Sequence, residues 1–257
     1  AFYARVPVAH IEAGLRTGSF AAPWPEEAHR CLIDRLATYF FAPTEQAKES
    51  LLLEGTPVEK IWVVGNTSID AIRLALMRSP KSLIRSQSKK IVVTVHRREN
   101  HGKRLEDICD AMRSLARQFP KLRILFFLHP NPNIRGPAMD MLAGIENIDL
   151  LEPVDHVSFI HLLNESLFVV TDSGGIQEET SLLGKPVLIL RDTTERPESI
   201  LAGTSRLVGT ESSMIIASCI ELLENEEMRT AMSRVHFSYG DGYASEKIVN
   251  VLDQELG

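Results

Sequence analysis

Cysteine is scarce in this sequence, and its few positions rule out more than they suggest. Cys31, Cys109 and Cys219 are the only three. They are odd in number and far apart, so neither a disulfide framework nor a metal-ligand spacing is visible. Each falls inside a helix-like pattern, which reads as a reduced, buried thiol of a cytoplasmic protein. Long apolar runs are missing too: nothing approaches the roughly 20 residues that a membrane-spanning helix needs. No signal-peptide pattern opens the chain. Basic charge is not in excess. Lys and Arg number 28 against 34 Asp and Glu, a formal net charge of −6, which argues against a nucleic-acid surface. An anionic ligand would have to be held by a local pocket rather than by the overall field. Short-period repeats and low-complexity tracts are absent. The first residue is Ala1 rather than Met, and an apolar strand at residues 6–11 follows almost at once. The expectation is that further sequence precedes Ala1.

What is present is an alternation of strand-like and helix-like segments, the pattern of an α/β protein with parallel sheets. Strands are predicted at residues 6–11, 40–42 and 61–64. One helix is predicted from Pro25, with Glu26 and Glu27 in its first turn. Thr44 caps the next, which ends at Gly55. A stretch rich in Ser, Lys and Arg then loses apolar periodicity and reads as a linker. Five more strands are predicted at 91–95, 123–128, 148–151, 167–170 and 186–190. The division that follows is the second half of one Rossmann-like domain at 1–78, a linker at 79–90, and a complete nucleotide-binding Rossmann-like domain at 91–238. A C-terminal helix at 239–257 is expected to pack back towards the first domain.

The densest local signal is Thr171-Asp172-Ser173-Gly174-Gly175-Ile176-Gln177-Glu178-Glu179. It follows the apolar run Leu167-Phe168-Val169-Val170 and opens a helix that stops at Gly184. A strand, a Ser-Gly-Gly turn and a helix N-terminus together make an anion site, because glycines admit close approach and the free N–H groups favour negative charge. A glutamate one turn later is placed to accept hydrogen bonds from sugar hydroxyls. The combination suits a nucleoside diphosphate; the plain alternative is an ordinary helix capped by Ser173.

Other polar residues also crowd the ends of predicted strands, where α/β proteins keep their sites. Glu12 and Arg16 follow the first strand. His96-Arg97-Arg98-Glu99 follows the fourth, His129-Pro130-Asn131 the fifth, and residues 191–198 the last. Arg97 and Arg98 read either as a diphosphate clamp or as a solvated loop. His96 and His129 read as site or structural histidines. Glu26 reads as a plain helix N-terminal charge as readily as a functional one, and His156 and His161 as surface residues. Arg30 and Asp34 have the spacing of an ordinary helix pair.

Several longer motifs, taken in order, resemble the bacterial non-hydrolysing UDP-N-acetylglucosamine 2-epimerases. They are His10-Ile11-Glu12-Ala13-Gly14-Leu15-Arg16-Thr17-Gly18, Pro23-Trp24-Pro25-Glu26-Glu27, Gly65-Asn66-Thr67, His96-Arg97-Arg98-Glu99, the run at 171–179, Asp192-Thr193-Thr194-Glu195-Arg196-Pro197-Glu198, Ala202-Gly203-Thr204 with Leu207-Val208-Gly209-Thr210, and Tyr239-Gly240-Asp241-Gly242. The Thr-Thr-Glu-Arg-Pro-Glu run favours the non-hydrolysing over the hydrolysing branch. The resemblance implies a two-domain glycosyltransferase-B-like fold with its site in the cleft, the N-terminal domain incomplete here. It implies reversible interconversion of UDP-GlcNAc and UDP-ManNAc, feeding ManNAc to cell-surface polysaccharide, with no metal and no cofactor. Carried over by motif, Glu12, Glu26 and His96 are the catalytic set. Ser173, Gly174 and Gly175 are the diphosphate turn, Glu179 the ribose ligand, and Arg196 a further nucleotide-site residue. Arg97 and His129 belong by resemblance to a second, allosteric UDP-GlcNAc site. A homodimer is expected for the full-length protein. The family's first segment carries a Gly-Thr-Arg-Pro-Glu motif and a further catalytic Asp that these residues do not include, so little or no turnover is expected of this chain alone. His29 departs from the Asn of many relatives. The competing readings are a sugar-nucleotide transferase on the same fold and a module that binds UDP-sugar without turning it over.

Overall fold

The computed structural model describes residues 1–21, 24–78, 89–194 and 196–257. Most of the predicted linker, together with Pro23 and Glu195 of the quoted motifs, lies outside the described residues. The chain divides into two compact units, Ala1–Leu74 with Phe237–Gly257, and Ala75–His236. Among the described residues the strands form two all-parallel sheets, one three-stranded and one six-stranded. None of the described helices is long and apolar enough to cross a membrane.

The elements of the first part are β1 (Ala9–Ile11), α1 (Glu26–Leu36), β2 (Tyr39–Ala42), α2 (Glu45–Leu53), β3 (Ile61–Val63) and α3 (Thr67–Leu76). The three strands pair in sequence order, with His10 beside Phe40 and Phe41 beside Trp62. Every residue of the central strand β2 is buried, as a parallel strand covered on both faces must be. Its side chains alternate. Phe40 and Ala42 join Ala13, Leu15, Ala47, Leu51 and Ile61 in one cluster, while Tyr39 and Phe41 join Val64 and Ile248 in another. Strand β1 is shorter than its apolar run predicts. Pro7 has no N–H to give to a ladder and Arg5 turns left-handed at φ 55°, so pairing begins only at Ala9.

The second unit runs through β4 (Lys90–Thr94), α4 (Lys103–Gln118), β5 (Arg123–Phe127), α5 (Pro132–Leu142), β6 (Ile148–Leu151), α6 (His156–Glu165), β7 (Val169–Thr171), α7 (Gly174–Leu183), β8 (Val187–Ile189), α8 (Pro197–Leu201), β9 (Ser205–Leu207), α9 (Ser212–Glu224) and α10 (Glu226–Met232). Lys90, assigned to the linker by sequence, is the first residue of β4. It is buried, and its ammonium meets Glu165 at 2.5 Å. Strand β9, at the sheet edge, has no apolar run to announce it. Helix α4 buries Leu105, Ile108, Cys109, Met112 and Leu115, the stripe of a 3.6-residue period, against the sheet. Cys109 and Cys219 are buried, and burial pushes the Cys109 thiol up to about 12. Cys31, read as buried from its pattern, is only partly so.

The strand order β6-β5-β4-β7-β8-β9 is that of a doubly wound nucleotide-binding sheet, and the order reverses between β4 and β7. The carboxyl ends of those two neighbouring strands are where such a sheet opens a crevice for a ligand.

The chain closes with α11 (Ala244–Leu256), whose Ile248, with Val251 and Leu252 beside it, packs in the Tyr39–Phe41 cluster of the first unit. Two of the quoted motifs meet here. Gly65 and Gly240 have φ of 91° and 113°, and a Cβ on Gly65 would lie 2.9 Å from Gly240 Cα. The Asn66 N–H donates to Tyr239 O at 2.6 Å. Tyr243, at the N-cap of α11, gives no side-chain cap; Asp70 on α3 accepts instead from the N–H groups of Ala244 and Ser245, at 3.0 and 2.8 Å.

Candidate functional site

The reversal point of the large sheet is built around one carboxylate. Asp172 follows β7 and is fully buried. It accepts from the N–H groups of His96 and Arg97, at 3.0 and 2.9 Å, and from the Asn100 amide at 2.9 Å. His96 Nδ1 lies 3.0 Å from its other oxygen. Burial works to raise the Asp172 carboxyl, but the His96 bond and these N–H donors outweigh it and hold the group below its ordinary value. Asp172 thus ties the loop after β4 to the turn after β7, with the Thr94 and Thr171 hydroxyls 2.6 Å apart just beneath.

The turn itself differs from an ordinary capped helix. Ser173 stands at the N-cap of α7, but its side chain makes no capping bond. Its N–H donates to Thr171 Oγ1 at 3.0 Å. The hydroxyl and the first N–H groups of α7 are therefore not satisfied by a side-chain cap, the state an anion site requires. Among the described residues a Cβ on Gly175 would meet only Ser173 Oγ, at 3.9 Å, beyond the helix's own backbone.

His96, His129 and Ser173 line one cavity of about 310 Å³, floored by Phe127, Leu128 and Ile176. The two imidazole rings are 6.0 Å apart. Burial, and then His96, hold His129 below the ordinary histidine value. Arg97, half-buried, enters this network through its backbone.

Glu179 and Arg196 do not line that cavity. Arg196 is buried, its guanidinium Nε on the carboxylate of Glu178. Glu179, one turn and a half into α7, meets His156 Nε2 through Oε1 at 3.3 Å, while its Oε2 is buried without a partner among the described residues. Burial raises the Glu179 carboxyl above its ordinary value, and His156 works against that rise.

Glu12 and Glu26 belong to the first unit. Glu12 sits just past β1 with φ 65°, a left-handed conformation unusual for glutamate, and Asn66 Nδ2 donates to its Oε1 at 2.8 Å. The turn beyond it is braced by Asp34, which accepts from Gly14 N–H at 3.2 Å and Arg16 at 2.6 Å and meets His10 Nδ1 at 2.5 Å. Arg30 does not pair with Asp34 as their spacing suggests. The Arg16 guanidinium takes that carboxylate, and Arg30 lies 3.9 Å from Glu27. Glu26 is exposed in the first turn of α1, whereas Glu27 is buried and accepts from the N–H groups of Thr17 and Gly18 at 2.8 and 3.0 Å.

Sequence reasoning missed the organisers: Asp172, Asn100, Asp34, Asn66 and His156. Asp172 lies inside the motif singled out, but only the fold reveals that its partners come from the loop after β4. Among the described residues no group of three or more His, Cys, Asp or Glu side chains is arranged to hold a metal ion.

Comparison with known proteins gives a consistent result. A family model described as UDP-N-acetylglucosamine 2-epimerase matches residues 1–253. A probable UDP-N-acetylglucosamine 2-epimerase of Ralstonia nicotianae is 49% identical, over 98% of this chain and 70% of that protein. The crystal structure of the Neisseria meningitidis UDP-GlcNAc 2-epimerase, bound to UDP-GlcNAc, superposes with a TM-score of 0.94 at 45% identity, over 99% of this chain and 71% of that one. The Staphylococcus aureus MnaA–UDP co-structure gives 0.96 at 43% identity, over 100% and 71%.

Proposed function

The chain belongs to the UDP-N-acetylglucosamine 2-epimerase family, and from that premise we propose that it serves the non-hydrolysing reaction, reversible inversion at C2 between UDP-GlcNAc and UDP-ManNAc. The C2 proton of the sugar is not acidic, because no carbonyl adjoins it. Simple removal and return is therefore a poor route. With UDP as leaving group at C1, a base takes the C2 proton, the C1–O bond breaks, and a glycal and UDP result. Re-addition of UDP at C1, with a proton delivered to the other face of C2, completes the inversion.

Three kinds of group are needed: a base, an acid and a clamp for the charge that grows on UDP. Glu12 and Glu26 are assigned the acid and base. Their surroundings differ as such a pair requires, one held by Asn66 and half-buried, the other exposed at a helix N-terminus. Ser173, Gly174 and Gly175 form the clamp, with His96 beside it to meet the developing charge. Glu179 takes the ribose and Arg196 fixes the loop behind it. Arg97 and His129 are assigned to a second UDP-GlcNAc site, the product is assigned to cell-surface polysaccharide, and the full-length protein is assigned to the cytoplasm as a homodimer.

The observation that carries this reading is the cavity at the sheet reversal, lined by His96 and an uncapped Ser173 that Asp172 holds side by side. One observation favours a second reading, binding of UDP-sugar without turnover: the clamp, the cavity and Glu179 all lie in residues 75–236, and the two carboxylates do not. Proton NMR of UDP-GlcNAc in D2O separates the two. Deuterium at C2 with a growing ManNAc signal supports the first. Broadened uracil resonances without exchange establish the second reading, and unchanged spectra overturn both.

A further inference from the structure

Glu179 is an unusual ligand because only half of it is engaged. Its side chain is 15% exposed, Oε1 meets His156 Nε2 at 3.3 Å, and Oε2 is buried with no partner among the described residues. A buried acceptor left without a donor is costly unless a ligand supplies one. His156 is the first residue of α6, whose N-terminus Asp155 caps by accepting from Ser158 N–H at 3.2 Å. The imidazole is therefore carried on a fixed element and is 46% exposed, open to protons from solvent.

We propose that His156 is the positioning residue for Glu179: its ring holds one carboxylate oxygen, leaves the other for the ribose hydroxyls of a bound uridine nucleotide, and by its charge sets the pH range over which that nucleotide is held. This rests on the assignment of Glu179 as the ribose ligand. At its far end α7 accepts from the His236 N–H through Ser181 O at 3.3 Å, and the helices packed beside it include α6 and α8. Their other titratable groups are Asp155, bonded to Ser158; His161, on Arg78 O at 2.9 Å; Glu165, on Lys90; and Glu198. On α7 itself Glu178 is bound to Arg196. Among the described residues His156 alone is within bonding distance of Glu179. An ionised Glu179 accepts from ribose hydroxyls through both lone pairs of Oε2, and protonation removes that capacity. Burial favours the protonated form, while a charged His156 favours the ionised one. A charged imidazole 3.3 Å from Oε1 therefore extends nucleotide binding to lower pH than a buried carboxylate would manage unaided.

Calorimetry of UDP and of 2′,3′-dideoxy-UDP between about pH 5 and pH 8 tests this, since the range spans histidine titration. The diphosphates of the two ligands titrate alike, so their difference isolates the ribose contact. The expected result is an affinity for UDP that falls at low pH along a limb absent with the dideoxy ligand. In His156→Gln, which keeps a donor but no charge, the limb moves up by about one pH unit while affinity near pH 8 stays within about threefold. His156→Lys, which restores the charge, brings the limb back to or below its original position. A limb that is present with UDP alone but unmoved in His156→Gln overturns the role of His156 and leaves Glu179 as ribose ligand. No binding of UDP, or the same profile for both ligands, overturns the Glu179 assignment and this inference with it.

Discussion

Two buried aspartates, one in each unit, carry a histidine ring against one carboxylate oxygen: His10 on Asp34 at 2.5 Å and His96 on Asp172 at 3.0 Å. Each also takes a backbone N–H from a turn that carries proposed site residues, Gly14 beyond Glu12 in the first case, and His96 and Arg97 in the second. Both carboxyls sit below their ordinary value although burial opposes it, because the bonds they accept favour the charged form. They differ in counter-charge. Asp34 has the permanent cation of Arg16, itself shared with Glu54 and raised further by both carboxylates against the effect of burial. Asp172 is answered by amide donors and by a histidine that carries charge only when protonated. The first arrangement is a fixed brace. The second has no permanent cation on its carboxylate among the described residues. A brace suits the turn that presents Glu12; a carboxylate without a fixed counter-charge suits the proposed diphosphate turn beside it.

The sharpest way to break this contrast is to remove the carboxylates in turn. Asp34→Ala strands Gly14 N–H and His10 and leaves Arg16 with Glu54 alone. Loss of a buried ion-pair partner costs about 3–5 kcal/mol, and urea denaturation should place this variant near the lower end of that range because Glu54 remains. Asp172→Asn keeps one acceptor oxygen and replaces no cation, so about 1–3 kcal/mol is expected. It should also act on UDP, with affinity in calorimetry at least tenfold weaker, about 1.4 kcal/mol. If Asp172→Asn destabilised more than Asp34→Ala while leaving UDP affinity intact, the two roles would be reversed.

Acid tests what the same pair has in common, by a smaller amount. A carboxyl held below its ordinary value of 3.8 contributes stability that is complete above that value and is lost as pH falls through its lower value in the folded state. Thermal unfolding should therefore be flat from neutral pH to about 5 and fall steeply below about 4. Both Asp34→Asn and Asp172→Asn should flatten that fall, since each removes one of the titrating groups. A fall of undiminished steepness in both variants would place the acid sensitivity elsewhere.

The contrast also explains what could be read from sequence. Strands such as 91–95 and 123–128 announce themselves because parallel strands covered on both faces are continuous apolar runs. The Ser-Gly-Gly turn and the residues after β4 announce themselves because loop chemistry is written locally. Asp34 was misread as the partner of Arg30 because i,i+4 spacing is a local rule, and Arg16, 18 positions away, wins the carboxylate only once β1 and α1 are adjacent. Asp172 was quoted but not understood for the same reason, its donors lying 72 to 76 residues upstream. Strand β9 and the start of β1 were illegible because edge strands need no apolar run and Pro7 looks innocuous until a ladder is required of it.

The mildest change bears on the second region alone. Gly175→Ala places a Cβ 3.9 Å from Ser173 Oγ and near nothing else, at a position whose φ any residue adopts. The variant gains helix propensity and loses no contact, so its stability should equal or exceed that of the parent by about 0.5 kcal/mol. If the diphosphate rests on this turn, the same methyl stands where a phosphate oxygen must approach the first N–H groups of α7, and UDP affinity should fall about tenfold with no change in unfolding. A variant that is stabler and binds UDP as before would mean that the nucleotide lies elsewhere along the cavity. Equal losses of stability and affinity would mean that the turn is a packing feature, a brace like Asp34, and that the contrast between the two aspartates does not extend to the residues they hold.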